Sequence, residues 1–406
     1  MRRPGIDDRP SKTGNIFEML CQPTQGKALK IVQLLESSAT GTLSMVCMIA
    51  NRLAQEGHHV HVIYSVRKDT PADFRALFHK DVVLRHIQMK NARVLSVLAD
   101  VRAALKEVEP DIVHLHSSFA GFLGRIATMF SFRKTAFFYS PHCISFMRRD
   151  VSMLRRLAFA GLELIACVRR CLYIACSESE RLAIRAYLRR PVVVIENAVA
   201  SVPAASLDKT TYGTMARGCI VTVGGIRTQK NPRLFAEIAR RFEGRGMRFL
   251  WIGDGDQALK DELRAAGVEV SGWLGRTEVM DCLQRASLYL STASWEGMPV
   301  SVIEAMLLGR PAVVFACAGN VDVVRHLDTG AIFRTADEAV ELLARLAGDD
   351  ALRETLAARA HAEAHARFCE DRFFNELIPV YIAGREGRLR RGGPTRLRAW
   401  LESALP

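Results

Sequence analysis

Two glutamates, a lysine and a histidine stand in this sequence where apolar runs give way to turns. The segment SWEGMPVSVIEAMLLGRP (residues 294–311) carries Glu296 and Glu304. Gly297 permits a tight turn, and Pro299 suits the first position of a helix. That helix is predicted to reach about Leu308 and to close at Gly309, with Pro311 beyond it. A helix N-terminus at Gly297, Met298 and Pro299 offers unpaired N–H groups and partial positive charge, which suit a diphosphate. Glu304 lies about 7–8 Å further along, at roughly 1.5 Å per residue. Its neighbours are Val302, Ile303, Ala305 and Met306, and a carboxylate among them needs a partner. A ribose cis-diol would bring two hydroxyl donors, and a structural arginine would meet the same need. Glu296 precedes the helix, either near the reacting group or as a solvated loop acid.

Two further segments follow strand-like runs. GGIRTQKNP (224–232) opens a helix, with Lys230 placed to meet a phosphate as a mobile point charge. Arg227 is a candidate second cation, or an exposed arginine at the helix entry. FFYSPHCISF (137–146) sets His142 just past a strand, where an imidazole can bond a hydroxyl or meet developing charge. WIGDGD (251–256) contains a literal D-x-D, but it sits at a strand-to-helix turn and is not read as a metal site. It also lacks the third glycine of a dinucleotide fingerprint.

The elements that must position these residues alternate. Short apolar runs at 30–36, 58–65, 111–117, 135–140, 171–177 and 192–197 read as strands, with helical patterns between them. Residues 201–217 lack periodicity, and the alternation restarts at 219–225, 247–253, 288–294 and 311–319. This is an α/β chain of two Rossmann-like domains facing each other across a cleft, with parallel sheets covered on both faces. The expected layout is a loose tail (1–26), a first domain (27–200), a linker (201–217) and a second domain (218–365). A helix (366–383) then returns to the first domain, and a basic tail (384–406) follows. Every motif falls at the carboxyl end of a strand, where open parallel sheets bind ligands.

Glu296 and Glu304, with seven residues between them inside EGMP…EA, resemble the donor-site motif of glycosyltransferase family 4. The resemblance spans about residues 30–383. It implies the GT-B fold, retention of configuration and a nucleotide-sugar donor. On it, His142 contacts the donor sugar near the reaction centre, together with Glu296, while Lys230 stabilises the leaving diphosphate. HLHSSFAG (114–121) resembles a segment lining the acceptor side, which points to His116 and Ser117. ESSATGTLS (36–44) resembles a two-glycine turn of which Gly41 is left. GWLGR (272–276) resembles a loop presenting backbone groups to the nucleobase, at Trp273 and Leu274. AGNVDVV (318–324) resembles a loop behind the sugar, with Asp322 where glutamate is common. Relatives carry an arginine where Gly225 stands, so Arg227 is expected to help Lys230.

Composition bounds the partners. Apolar residues at 49% and charged residues at 24% describe a globular chain, and no apolar run is long enough for a transmembrane helix. MRRPGIDDRP lacks the apolar core of a secretory signal. The cysteines form no CxxC pair and read as reduced thiols. The formal net charge is +13, and residues 142–190 hold ten arginines against Asp150, Glu163, Glu178 and Glu180. Such basic stretches suit anionic lipid or a lipid diphosphate. With aromatic residues at 7% and no recognition motif among the arginines, nucleic acid is not an expected partner. The reading is therefore a retaining glycosyltransferase needing no metal or other cofactor. It would move a sugar from a UDP- or GDP-sugar to a saccharide or polyprenyl-diphosphate-linked acceptor in bacterial surface polysaccharide biosynthesis. It would be cytoplasmic, peripheral on the inner membrane. A nucleotide-sugar epimerase of the same fold and a non-catalytic scaffold subunit are the alternatives.

Overall fold

The computed structural model describes residues 28–36, 40–200 and 218–387. The expected tail (1–26), the linker (201–217) and all but the start of the basic tail (384–406) lie outside the described residues. Seven strands form the first sheet: β1 (Lys30–Leu35), β2 (His59–Tyr64), β3 (Val83–His86), β4 (Ile112–His116), β5 (Ala136–Ser140), β6 (Leu172–Ala175) and β7 (Val192–Val194). Six form the second: β8 (Cys219–Val223), β9 (Arg248–Ile252), β10 (Val268–Val270), β11 (Leu288–Ser291), β12 (Ala312–Phe315) and β13 (Gly330–Phe333). Their orders are β3-β2-β1-β4-β5-β6-β7 and β10-β9-β8-β11-β12-β13, parallel throughout. The central strands are apolar because helices cover both faces.

Each sheet reverses its strand order beside its first strand. β1 lies between β2 and β4, and β8 lies between β9 and β11. The loops after β8 and β11 therefore flank a switch point, the place where parallel sheets open a crevice. The last helix, Glu370–Arg385, follows the second sheet in sequence but packs on the first. Phe373, Phe374, Leu377 and Val380 share a buried cluster with Ile31, Val60 and Phe138. A separate helix, Asp350–Arg367, precedes it, so the returning helix starts at Glu370 rather than 366. The helix after β1 begins at Thr40, which puts Gly41 in its first turn.

Among its described residues the first domain carries one fully buried ion pair. Arg125 Nη2 lies 2.6 Å from Glu163 Oε2, with both side chains buried. Arg125 also donates to Gly121 O at 2.8 Å and to Tyr173 Oη at 2.7 Å, while Tyr139 donates to Glu163 Oε1 at 3.1 Å. Every charge is thus neutralised inside one network, the condition under which buried pairs persist. Glu163→Ala should cost about 3–5 kcal/mol in urea unfolding, because it strands a buried guanidinium. Removing both charges (Arg125→Met with Glu163→Leu) should recover much of that loss. A single variant within about 1 kcal/mol of the parent would contradict a structural role for the pair.

Candidate active site

The loop after β11 touches the loop after β5 at Gly297. A Cβ on Gly297 would fall 2.7 Å from Cys143 N and 2.9 Å from His142 C. Glycine is needed here for close approach of the two loops, and not for the tight turn expected from sequence. The contact sets Glu296 beside the turn at His142. Glu296 is anchored from the loop after β12, donating its N–H to Ala318 O at 3.0 Å.

Lys230 comes to Glu296 from the loop after β8. Its Nζ lies 2.8 Å from Glu296 Oε1, and both side chains are largely buried. Burial alone would lower the ammonium, but the facing carboxylate outweighs it and raises the Lys230 pKa. Gln229 binds the same loop, donating to Trp295 O at 3.1 Å and to Glu296 Oε2 at 3.2 Å. Gly224 makes the crossing possible: at φ +147° it leaves room for the Lys230 stem, whose Cε would be 2.9 Å from a Cβ there. Beside it, a Cβ on Gly225 would meet Trp273 at 3.5 Å and the Arg227 guanidinium at 3.7 Å. Arg227 therefore folds back over Gly225, and its buried Nε has no hydrogen-bond partner among the described residues. Trp273 is 49% exposed and does not cover the core, while Leu274 packs partly against it.

The site helix runs from Val300 to Leu307, with Pro299 as its N-cap rather than its first residue. Gly309 closes it at φ +64°. Glu304 is buried on this helix, and Arg276 Nη1 donates to its Oε1 at 2.8 Å. The arginine alternative is thus realised. Burial pushes the Glu304 carboxyl up, against the opposing pull of Arg276. Arg276 is 50% exposed at its side chain, so it caps the carboxylate from the open side. Sequence reasoning passed over it, although it sits two residues after Leu274 in GWLGR. Met298 is buried, and its carbonyl accepts from Asn197 Nδ2 at 3.0 Å, which fastens the two domains beside the helix N-terminus.

His142 takes a left-handed backbone, φ +53°, as does Cys143 at φ +92°. Such angles cost roughly 1–3 kcal/mol each unless held from outside. Glu180 holds them: its buried Oε1 accepts from Cys143 N at 2.7 Å and Ile144 N at 2.9 Å. His142 Nε2 lies 3.0 Å from His116 Nδ1, the two rings are stacked, and His116 Nε2 lies 2.7 Å from Gln33 Oε1. Gln33 in turn donates to Tyr381 Oη at 3.5 Å. Burial lowers the His142 pKa to about 4, so the ring is neutral near pH 7. With the Gln33 carbonyl oxygen at His116, the proton order is fixed. His116 donates from Nε2 and accepts at Nδ1, so His142 donates from Nε2 and keeps a lone pair on Nδ1. His116 is a correction: it is fully buried beneath His142 and does not reach the acceptor side. Gln33, a polar residue inside the run KIVQLLE, was the visible signal for this layer. Glu180 and Tyr381 gave none locally.

The other expected residues fall outside this cluster. Ser117 is half-buried at φ +72°, and its hydroxyl has no hydrogen-bond partner among the described residues. Gly41 faces the start of the site helix, where a Cβ would make ordinary 3.4 Å contact with Val300. Asp322 accepts from Ser179 N at 3.0 Å and Gly319 N at 2.9 Å, a clasp between the domains. Asp254 pairs with Lys260 at 2.7 Å, and Asp256 caps a helix by accepting from Leu259 N. Both acids of the D-x-D are therefore used locally.

Comparison with known proteins gives this geometry a family. Residues 40–201 match Glycosyltransferase Family 4, and residues 217–349 match Glycosyl transferases group 1. The chain is 27% identical over 300 residues to an Escherichia coli UDP-Gal:alpha-D-GlcNAc-diphosphoundecaprenol alpha-1,3-galactosyltransferase, covering 64% of this chain and 74% of that protein. A Campylobacter jejuni N,N'-diacetylbacillosaminyl-diphospho-undecaprenol alpha-1,3-N-acetylgalactosaminyltransferase is 28% identical over 141 residues, 33% of this chain and 37% of that one. Anabaena HepE in complex with UDP-glucose superposes with a TM-score of 0.71 at 18% identity, covering 87% of this chain and 100% of HepE. WaaG, a glycosyltransferase involved in lipopolysaccharide biosynthesis, gives a TM-score of 0.63 at 16% identity, covering 82% of this chain and 95% of WaaG. Two domain matches in chain order, a cleft between two parallel sheets, and Glu296 and Glu304 in place lead to one statement: the chain belongs to glycosyltransferase family 4 and is a glycosyltransferase of the GT-B fold.

Proposed function

We propose that the enzyme is a retaining, metal-independent transferase that moves a sugar from a nucleotide donor to a polyprenyl-diphosphate-linked saccharide. The pathway is bacterial surface polysaccharide biosynthesis, at the cytoplasmic face of the inner membrane. The observation that carries this reading is the Lys230–Glu296 ion pair beside the N-terminus of the site helix, with Glu304 buried further in. The undecaprenyl-linked acceptors named for the two bacterial relatives support the acceptor class. HepE with UDP-glucose favours uridine over guanosine as the base.

The chemistry follows from the charges. The diphosphate meets the helix N-terminus, Lys230 and Arg227, whose positive charge is preorganised for the charge that develops on departure. The ribose hydroxyls donate to Glu304, displacing or sharing Arg276. Trp273, half exposed beside Gly225, flanks the base. His142 Nδ1 accepts from a hydroxyl of the donor sugar, and Glu296 lies on the far side of its turn. Ser117 faces the acceptor. No side chain is assigned as a covalent nucleophile.

Titration calorimetry with UDP-, GDP- and ADP-sugars should show binding of a UDP-sugar, weakened roughly tenfold to a hundredfold by Glu304→Ala. No binding by any donor would overturn the reading, and isomerised donor without acceptor would favour an epimerase. Lys230→Ala should lower kcat by about two to three orders of magnitude with a smaller change in KM. Unchanged kcat would remove Lys230 from leaving-group stabilisation. The 15N spectrum of histidine-labelled protein near pH 7 should show His142 protonated on Nε2 and bare on Nδ1. A proton on Nδ1 would break the assigned order from Gln33.

A further inference from the structure

His142 keeps its lone pair on Nδ1 only while the Gln33 amide turns its oxygen toward His116. The returning helix Glu370–Arg385 bears on that choice through Tyr381. This side chain is buried, with its ring centroid 4.9 Å from that of Phe138 on β5. The helix is seated so closely there that a Cβ on Gly384 would fall 2.3 Å from the Phe138 ring. The Tyr381 hydroxyl lies 2.6 Å from His114 Nδ1 and 3.5 Å from Gln33 Nε2. His114 Nε2 lies 2.9 Å from Ser140 Oγ. A hydrogen-bonded chain therefore runs from His142 through His116, Gln33, Tyr381 and His114 to Ser140, and every member after His142 is buried.

Burial keeps His114 and His116 neutral, so each ring has one N–H and one lone pair. Such a chain can run in two directions, with every donor pointing toward Ser140 or every donor pointing toward His142. The lengths choose between them. An N–H donor keeps about 2.7–3.2 Å to oxygen, whereas a hydroxyl donor comes to about 2.5–3.0 Å. At 2.6 Å, Tyr381 donates its O–H to His114 Nδ1. The opposite direction would need an imidazole N–H at that short distance, and a tyrosine O–H spanning 3.5 Å to the Gln33 oxygen. With its proton on the His114 side, Tyr381 Oη offers Gln33 lone pairs alone. Gln33 then turns its NH2 to Tyr381 and its oxygen to His116. Buried bonds aligned in one direction polarise and strengthen one another.

We propose that Tyr381 is a positioning residue for His142: its hydroxyl orients the Gln33 amide, and the amide places the His142 proton on Nε2 and the lone pair on Nδ1. Tyr381 touches no reactant. The helix that follows the second sheet in sequence thereby sets the state of a side chain carried by the first. The consequence for turnover rests on the proposed contact between His142 Nδ1 and the donor sugar; the proton order does not.

The 15N spectrum of the histidine-labelled full chain tests it. In the parent, His114, His116 and His142 should all carry the proton on Nε2. A proton on His114 Nδ1 would overturn the proposal, because Tyr381 would then be the acceptor. In Tyr381→Phe, which keeps the ring, His142 should become a mixture of Nε2–H and Nδ1–H forms. Phe138→Leu loosens the same seat but removes no member of the chain, and should leave the order unchanged. His142 held on Nε2 alone in Tyr381→Phe, or shifted equally by Phe138→Leu, would overturn the proposal. Turnover of Tyr381→Phe should fall with the share of His142 protonated on Nδ1, about twofold at an even mixture. A changed proton order with unchanged turnover would sink the sugar contact assigned to His142 and leave the role of Tyr381 standing.

Discussion

Gly297 lies so close to the turn at His142 and Cys143 that a single methyl group would not fit between them. That approach is what makes one site from two sheets. The turn on the first domain is held in left-handed geometry by the buried Glu180 carboxylate, which accepts three backbone N–H bonds, from Cys143, Ile144 and Cys176. The loop on the second domain is pinned at Glu296 by Ala318 and Gln229. Each side is held by bonds within its own domain, and packing at Gly297 sets Glu296 beside His142.

Electrostatics explain how charged groups persist at this depth. Isolated charges at this depth would be too costly. Lys230 and Glu296 neutralise one another, and Glu304 is capped by Arg276. On the proposed reading, the diphosphate would share Lys230 with Glu296, and the ribose would share Glu304 with Arg276. The histidine layer follows the same logic. His114 and His116 are neutral because burial drives their pKa values well down, and their ring nitrogens are filled by Tyr381, Ser140, Gln33 and His142.

The sequence exposed the architecture through its buried strands. β1, β4, β5, β8 and β11 are apolar runs bounded by turns, and the motif residues sit at their carboxyl ends. The strands that sequence reading passed over, β3, β10 and β13, are edge strands of three or four residues, too short for a periodic signal. In the site, Glu296, Glu304, Lys230 and His142 were legible because each carries charge or a titratable ring at a strand end or in an apolar helix. His116 was misplaced because a histidine at a strand end looks the same whether it lines a cleft or supports the residue that does. Tyr381 and Gln33 share a bond across 348 residues, which no local pattern encodes. Arg276 and Glu180 became visible only through their partners.

A crystal structure with a bound nucleotide sugar tests the central claim most directly. The expected result has the diphosphate at the N-terminus of Val300–Leu307 within hydrogen-bonding distance of Lys230. The ribose hydroxyls would lie on Glu304, and a sugar hydroxyl on His142 Nδ1. A nucleotide bound elsewhere in the cleft, with Glu304 held by Arg276 alone and Lys230 by Glu296 alone, would contradict it.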